Sequence, residues 1–180
     1  MIYVFLANGF EETEAVAPID LLRRSGKKVV TVGVGDNVIV GSHGLPIVAD
    51  TIAQEAQLTD ELEAIVLPGG MPGTLNLEKS QYVQEAIDFC VRNGKVIGAI
   101  CAAPSILGHK GLLKGRTAVC YSGFETQLEG ANIGDTPVAE DGSFITARGA
   151  GAAVDFGLKL VEKLVSKAES AKQRAAILCD

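Results

Sequence analysis

Short, wholly apolar runs alternate along this chain with longer stretches in which apolar residues return every three or four positions. Met1–Ala7, Val29–Val34, Ala64–Leu67 and Lys95–Ile100 are runs of the first kind and predict buried strands. Val16, Ile19 and Leu22 recur at helical spacing within Glu11–Ser25, and Gly26 closes that helix. Ser80–Asn93 predicts a second helix, with Val83, Ala86, Ile87, Cys90 and Val91 on its buried face. Ala150–Ser166 predicts a long amphipathic helix, and Glu169–Leu178 a last short one. Val38–Val40 and Pro46–Val48, around Gly41-Ser-His-Gly44, predict a small hairpin added to the main sheet. Further strands are expected at Thr117–Val119 and, after the Asp141-Gly142 turn signal, at Ser143–Thr146. This alternation implies an α/β fold, a mostly parallel sheet covered by helices on both faces.

Composition narrows the function. The 180 residues, 47% of them hydrophobic and 21 of them glycine, suit one domain spanning residues 1–180. The net charge is −6, and Lys and Arg never run beyond two in a row, which speaks against a nucleic-acid or anionic-membrane partner. No apolar run approaches the ~20 residues of a membrane span. The chain opens directly on a strand, without the basic flank and cleavage site of a signal peptide, so a cytoplasmic location is expected. Four cysteines (90, 101, 120 and 179) show no C-x-x-C pair, and only His43 and His109 are available as imidazole ligands, so no metal site is expected. Neither a Walker loop nor a complete dinucleotide fingerprint occurs, because the third glycine position after Gly149 and Gly151 is Val154; no cofactor is expected.

In such sheets ligands bind beyond the carboxyl ends of the strands, where strand order reverses. Asn8–Glu14, Pro68–Gly73 and Cys101–Ala102 follow three of the strands and therefore converge on one crevice. Cys101 lies between a strand and a helix expected from Ala102, with Pro104 in its first turn. A thiol at a helix amino end should lose its proton more readily than a free cysteine; equally, most free cysteines are small buried hydrophobes. Glu11, Glu12 and Glu14 suit a helix's first turn electrostatically, but Glu14 can also turn inward, where a carboxyl beside a thiolate is held neutral. The N–H groups of Gly69, Gly70 and Ala102 can form an oxyanion site; a tight turn explains the glycine pair as well. His109 stands eight residues along from Cys101, about 12 Å by helix rise, and His43 reaches the crevice only through tertiary or subunit packing. Asp20 and Arg24 are spaced as an i, i+4 pair, Cys90 falls on a core face, and Cys120 is either structural or pocket-lining.

Asn8-Gly-Phe-Glu-Glu-Thr-Glu14, Leu67-Pro-Gly-Gly70, Ala99-Ile-Cys-Ala-Ala-Pro104 and Thr146-Ala-Arg-Gly-Ala-Gly151 together resemble the motifs of the ThiJ/PfpI superfamily, in the branch of the parkinsonism-associated deglycase. The resemblance runs in order through nearly the whole chain. It implies a flavodoxin-like three-layer sandwich and a homodimer, with the first helix and the hairpin, hence Asp20 and Arg24, near the interface. It implies that Cys101 is the nucleophile, Glu14 its protonated partner, and Gly70 and Ala102 the backbone anion site, acting on a small reactive carbonyl or glycated substrate as glyoxalase or deglycase. It leaves Arg148 either bracing the crevice or anchoring an anion. The same thiol suits a redox sensor or an oxidative-stress chaperone. Two departures stand out: Tyr121 or a close neighbour where the human-type branch carries a pocket histidine, and His43 where it carries a hairpin arginine. Proteolytic members carry histidine directly after the cysteine. Ala102 stands there instead, so amidase or peptidase chemistry would fall to His43 as its base.

Overall fold

A computed structural model describes residues 1–179. The elements run β1 (Ile2–Leu6), α1 (Glu12–Arg24), β2 (Val29–Gly33), β3 (Val38–Val40), β4 (Pro46–Val48), β5 (Thr51–Ile52), β6 (Ala64–Leu67), α2 (Gly73–Lys79), α3 (Gln81–Arg92), β7 (Val96–Ile100) and α4 (Pro104–His109). They continue with β8 (Thr117–Ala118), β9 (Asn132–Ile133), β10 (Val138–Asp141), β11 (Phe144–Ala147), α5 (Ala153–Leu164) and α6 (Lys167–Ala176). Seven strands form the main sheet in the order β10-β11-β7-β6-β1-β2-β5, parallel except at the β10–β11 pair.

Every residue of β1, β6 and β7 is buried, because both faces of the sheet are covered. Tyr3, Phe5, Ile97 and Ala99 point to one core, which Leu77 of α2, four residues of α3, and Ile106 and Leu107 of α4 complete. Ile2, Val4, Leu6 and Ile100 point to the other, closed by Ile19 and Leu22 of α1 and Phe156 and Leu160 of α5. Close approach decides two positions there. A Cβ on Gly98 would meet the Phe156 ring at 3.0 Å, and one on Gly157 would sit 2.7 Å from Leu21 and 3.0 Å from Pro18 of α1.

Several local expectations are corrected. Among the described residues, the β3–β4 hairpin is a separate two-stranded sheet rather than an addition to the main one, and β8 pairs only with β9. Val91 is exposed while the other four marked residues of α3 are buried. The last long helix opens as a 3₁₀ turn over Ala150–Ala152 before α5 begins.

Candidate active site

The segments after β1, β6 and β7 meet where strand order reverses, between β1 and β6. Backbone hydrogen bonds hold them together: Glu11 N–H donates to Gly69 O at 2.9 Å, and Gly73 N–H to Gly9 O at 3.2 Å. Cys101 N–H donates to Ala147 O at 2.9 Å, and Tyr121 N–H to Cys101 O at 2.8 Å. Cys101 is thus fixed from both sides in a left-handed conformation, φ 66°, which costs a residue with a side chain about 1–3 kcal/mol. The chain turns sharply there, so α4 opens at Pro104 rather than at the expected Ala102 and runs only six residues.

Glu14 rises from the buried face of α1 and is 1% exposed. Its Oε2 accepts the Gly69 N–H at 2.9 Å, and it hydrogen-bonds the Cys101 side chain and the Ala150 N–H. Gly69 is therefore corrected as an oxyanion donor, since its N–H is committed to Glu14. It is glycine for lack of space: a Cβ would lie 2.5 Å from Cys101 Cβ and 2.6 Å from Glu14 Oε2. Gly70, at φ 90°, turns the backbone so that its N–H and that of Ala102 both face the Cys101 sulfur.

Burial pushes the Glu14 carboxyl up to about 7, against the pull of its hydrogen bonds. Burial likewise pushes the Cys101 thiol up to about 12, reinforced by the charge and hydrogen bond of Glu14 and opposed by the N–H groups of Gly70 and Ala102. While Glu14 is ionised, its charge and its hydrogen bond keep the proton on the thiol. Two acids share a pocket with little water, and the pair resists holding two negative charges. It can hold one, with a single proton passing between carboxyl and sulfur.

The remaining marked residues divide. His43 lies on the hairpin loop, exposed, with Nδ1 3.1 Å from Glu12 Oε2 and 3.3 Å from Glu11 Oε2. Glu12 also accepts the backbone N–H of His43 at 2.8 Å and of Leu45 at 3.3 Å, and its carboxyl falls to about 2 because these bonds outweigh its burial. The ligand atoms of Glu11, Glu12 and His43 lie within 4.8 Å of one another, and these hydrogen bonds account for the grouping without an ion. His109 pairs with Glu78 at 2.6 Å, and Arg24 with Asp20 at 2.6 Å. Neither histidine has a bond to Cys101 or Glu14 among the described residues.

Tyr121, Arg148 and the buried Cys120 instead line a cavity of about 750 Å³ beside the pair, together with Gly149, Ala150 and Glu125. Sequence reasoning missed the clamp role of Glu12 and the placement of Glu125. Both depend on loops that meet only in the folded chain, and Glu12 looks locally like any first-turn acid.

The DJ-1/PfpI family model matches residues 1–163. The chain belongs to the DJ-1/PfpI family. It is similar to Protein dj-1beta of Drosophila melanogaster, 37% identical over 168 residues, covering 91% of this chain and 89% of the relative. The crystal structure of that fly protein superposes with a TM-score of 0.93 at 32% identity, covering 99% of this chain and 97% of the other. A protein of Pyrococcus abyssi named as a deglycase is 29% identical over 152 residues, 82% of this chain and 89% of its own. The α/β fold with a mostly parallel sheet is that of the DJ-1 structures. No helix among the described residues is long and apolar enough to cross a membrane.

Proposed function

We propose that this DJ-1/PfpI chain is a cofactor-free enzyme for reactive dicarbonyls such as methylglyoxal, acting as a glyoxalase or a deglycase, with Cys101 as nucleophile and Glu14 as proton carrier. The observation that supports this most is the buried carboxyl hydrogen-bonded to the thiol, with a pKa raised to about 7. Cys101 sulfur adds to the aldehyde carbon, and its proton passes through Glu14 to the carbonyl oxygen, giving a hemithioacetal. The Gly70 and Ala102 N–H groups stabilise the developing oxyanion. Glu14 as carboxylate then takes the proton from the former aldehyde carbon and returns it to the neighbouring carbon, while the hydroxyl proton of the hemithioacetal passes to the neighbouring carbonyl oxygen. The resulting thioester of lactate is hydrolysed by water, which frees the thiol.

Oxidation of Cys101 is a second reading, favoured by the same donors, since a sulfinate would accept hydrogen bonds from both N–H groups and from protonated Glu14. Under either reading we propose a homodimer, because Val16 of α1 and Val38, Val40, Leu45 and Val48 of the hairpin leave apolar side chains exposed.

Conversion of methylglyoxal to lactate by the unaltered protein, Cys101→Ser and Glu14→Gln separates the two readings when intact mass is recorded after mild peroxide. Turnover that vanishes with Cys101→Ser and falls about a hundredfold or more with Glu14→Gln is expected. Loss of methylglyoxal no faster than the spontaneous rate overturns the enzymatic reading. A peroxide-treated protein without a two-oxygen adduct on Cys101 overturns the sensor.

A further inference from the structure

Tyr121 is tied to both halves of the reacting pair. Its backbone N–H donates to Cys101 O at 2.8 Å. The edge of its ring lies on Gly149, where a Cβ would sit 3.3 Å from the ring and 3.7 Å from Glu14 Oε1. The next residue, Ala150, turns its N–H onto the Glu14 carboxyl. The ring therefore stands where the pair opens into the adjoining cavity. That cavity, of about 750 Å³, falls within the ~300–1,000 Å³ of small-molecule sites and is far larger than a three-carbon dicarbonyl needs.

The Tyr121 ring is left without partners. Tyr3, by contrast, meets Phe5 edge-to-face with centroids 6.2 Å apart and donates its hydroxyl to Gln57 O at 2.8 Å. Tyr121 has neither a ring contact nor a hydroxyl hydrogen bond among the described residues, and it is 53% exposed. Ile133 of β9 lines the same cavity and is 47% exposed. Two large apolar side chains left open in one concave wall mark a place where an apolar group docks. The charged side chains of that wall, Glu125 and Arg148, are opposite in sign, so the cavity offers no net charge to select an ion. A tyrosine ring also favours a second aromatic ring over an alkyl group of equal size, through offset or edge-to-face contact.

We propose that Tyr121 and Ile133 form an aryl subsite, so that the preferred dicarbonyl carries an aromatic ring on its ketone carbon in place of methyl. The substrate class rests on the dicarbonyl reading; the aryl subsite does not, and the test keeps them apart. Phenylglyoxal would give mandelate by the same proton shift and the uptake of one water. Cys101→Ser protein, unable to turn over, is titrated with acetophenone, which has the ring and the ketone but no aldehyde. Cyclohexyl methyl ketone, of nearly the same size, serves as the non-aromatic control, and backbone amides are followed by NMR. Saturable shifts at Tyr121, Ile133 and Gly149 are expected with acetophenone, at an affinity several-fold above that of the control. Adding Tyr121→Ala should weaken acetophenone binding about tenfold, Ile133→Ala should weaken it by a smaller factor, and Tyr121→Phe should preserve it. In the active protein, the ratio of kcat/KM for phenylglyoxal over methylglyoxal should exceed unity. It should fall about tenfold with Tyr121→Ala and little with Tyr121→Phe. Acetophenone that does not bind, binds no better than the control, or binds Tyr121→Ala protein equally well overturns the subsite. A kcat/KM ratio below unity, or indifferent to Tyr121, overturns the substrate class. Acetophenone binding through Tyr121 with neither glyoxal consumed overturns the dicarbonyl reading and leaves the aryl subsite standing.

Discussion

Cys101 and Glu14 each sit in a state that an isolated residue would avoid, one in left-handed backbone and the other as a buried acid. Both costs are measurable. Cys101→Gly removes the side chain from the left-handed position and should raise stability by about 1 kcal/mol while abolishing turnover, which urea unfolding and a lactate assay would record. For Glu14 the folded pKa lies above the unfolded one, so the native state binds the extra proton between the two. Stability is then full below the ordinary carboxylate range and declines as pH rises toward about 7. The loss is on the order of 3 kcal/mol, and the melting temperature of Glu14→Gln should lack that slope. The turn that carries Cys101 was legible from apolar run, small residues and Pro104. The direction of its thiol pKa was not, because local sequence reveals a helix end but not how much water the fold removes.

Packing between elements brings Glu14 to the sulfur. α1 and α5 lie close because Gly157 leaves room for Leu21 and Pro18, so Gly157→Leu should cost about 1–3 kcal/mol by overpacking even though leucine is the better helix former, as a thermal melt would show. Thr74 of α2 holds a buried hydroxyl with no hydrogen-bond partner among the described residues. Thr74→Val should therefore leave stability unchanged or raise it by up to about 1 kcal/mol, measured in the same way. Long periodic helices such as α1 and α3 were readable from their spacing. The two-residue strands β5, β8 and β9 and the seven-residue α2 were not, since tertiary pairing rather than local pattern fixes segments so short. Val91 was misplaced because the buried stripe runs through Val83, Ala86, Ile87 and Cys90, and Val91, one position further round the helix, falls outside it.

Across the whole molecule, the sheet order gathers three loops at one edge, and that much followed from the βαβ alternation alone. The cavity wall around Arg148 and Tyr121 did not, because it is assembled from irregular segments between β8 and α5. The exposed valines of the hairpin predict that the protein sediments at twice its chain mass and that Val48→Lys, at the most exposed of them, shifts it toward the single-chain species. Everything proposed for turnover depends on a proton kept by Glu14 beside the Cys101 sulfur near neutral pH. Carbon-13 NMR of side-chain-labelled glutamate, with Glu14 assigned by its loss in Glu14→Gln, reads that proton directly. A carboxyl carbon titrating near pH 7 is the predicted result; one titrating with the exposed glutamates in the ordinary carboxylate range would contradict it.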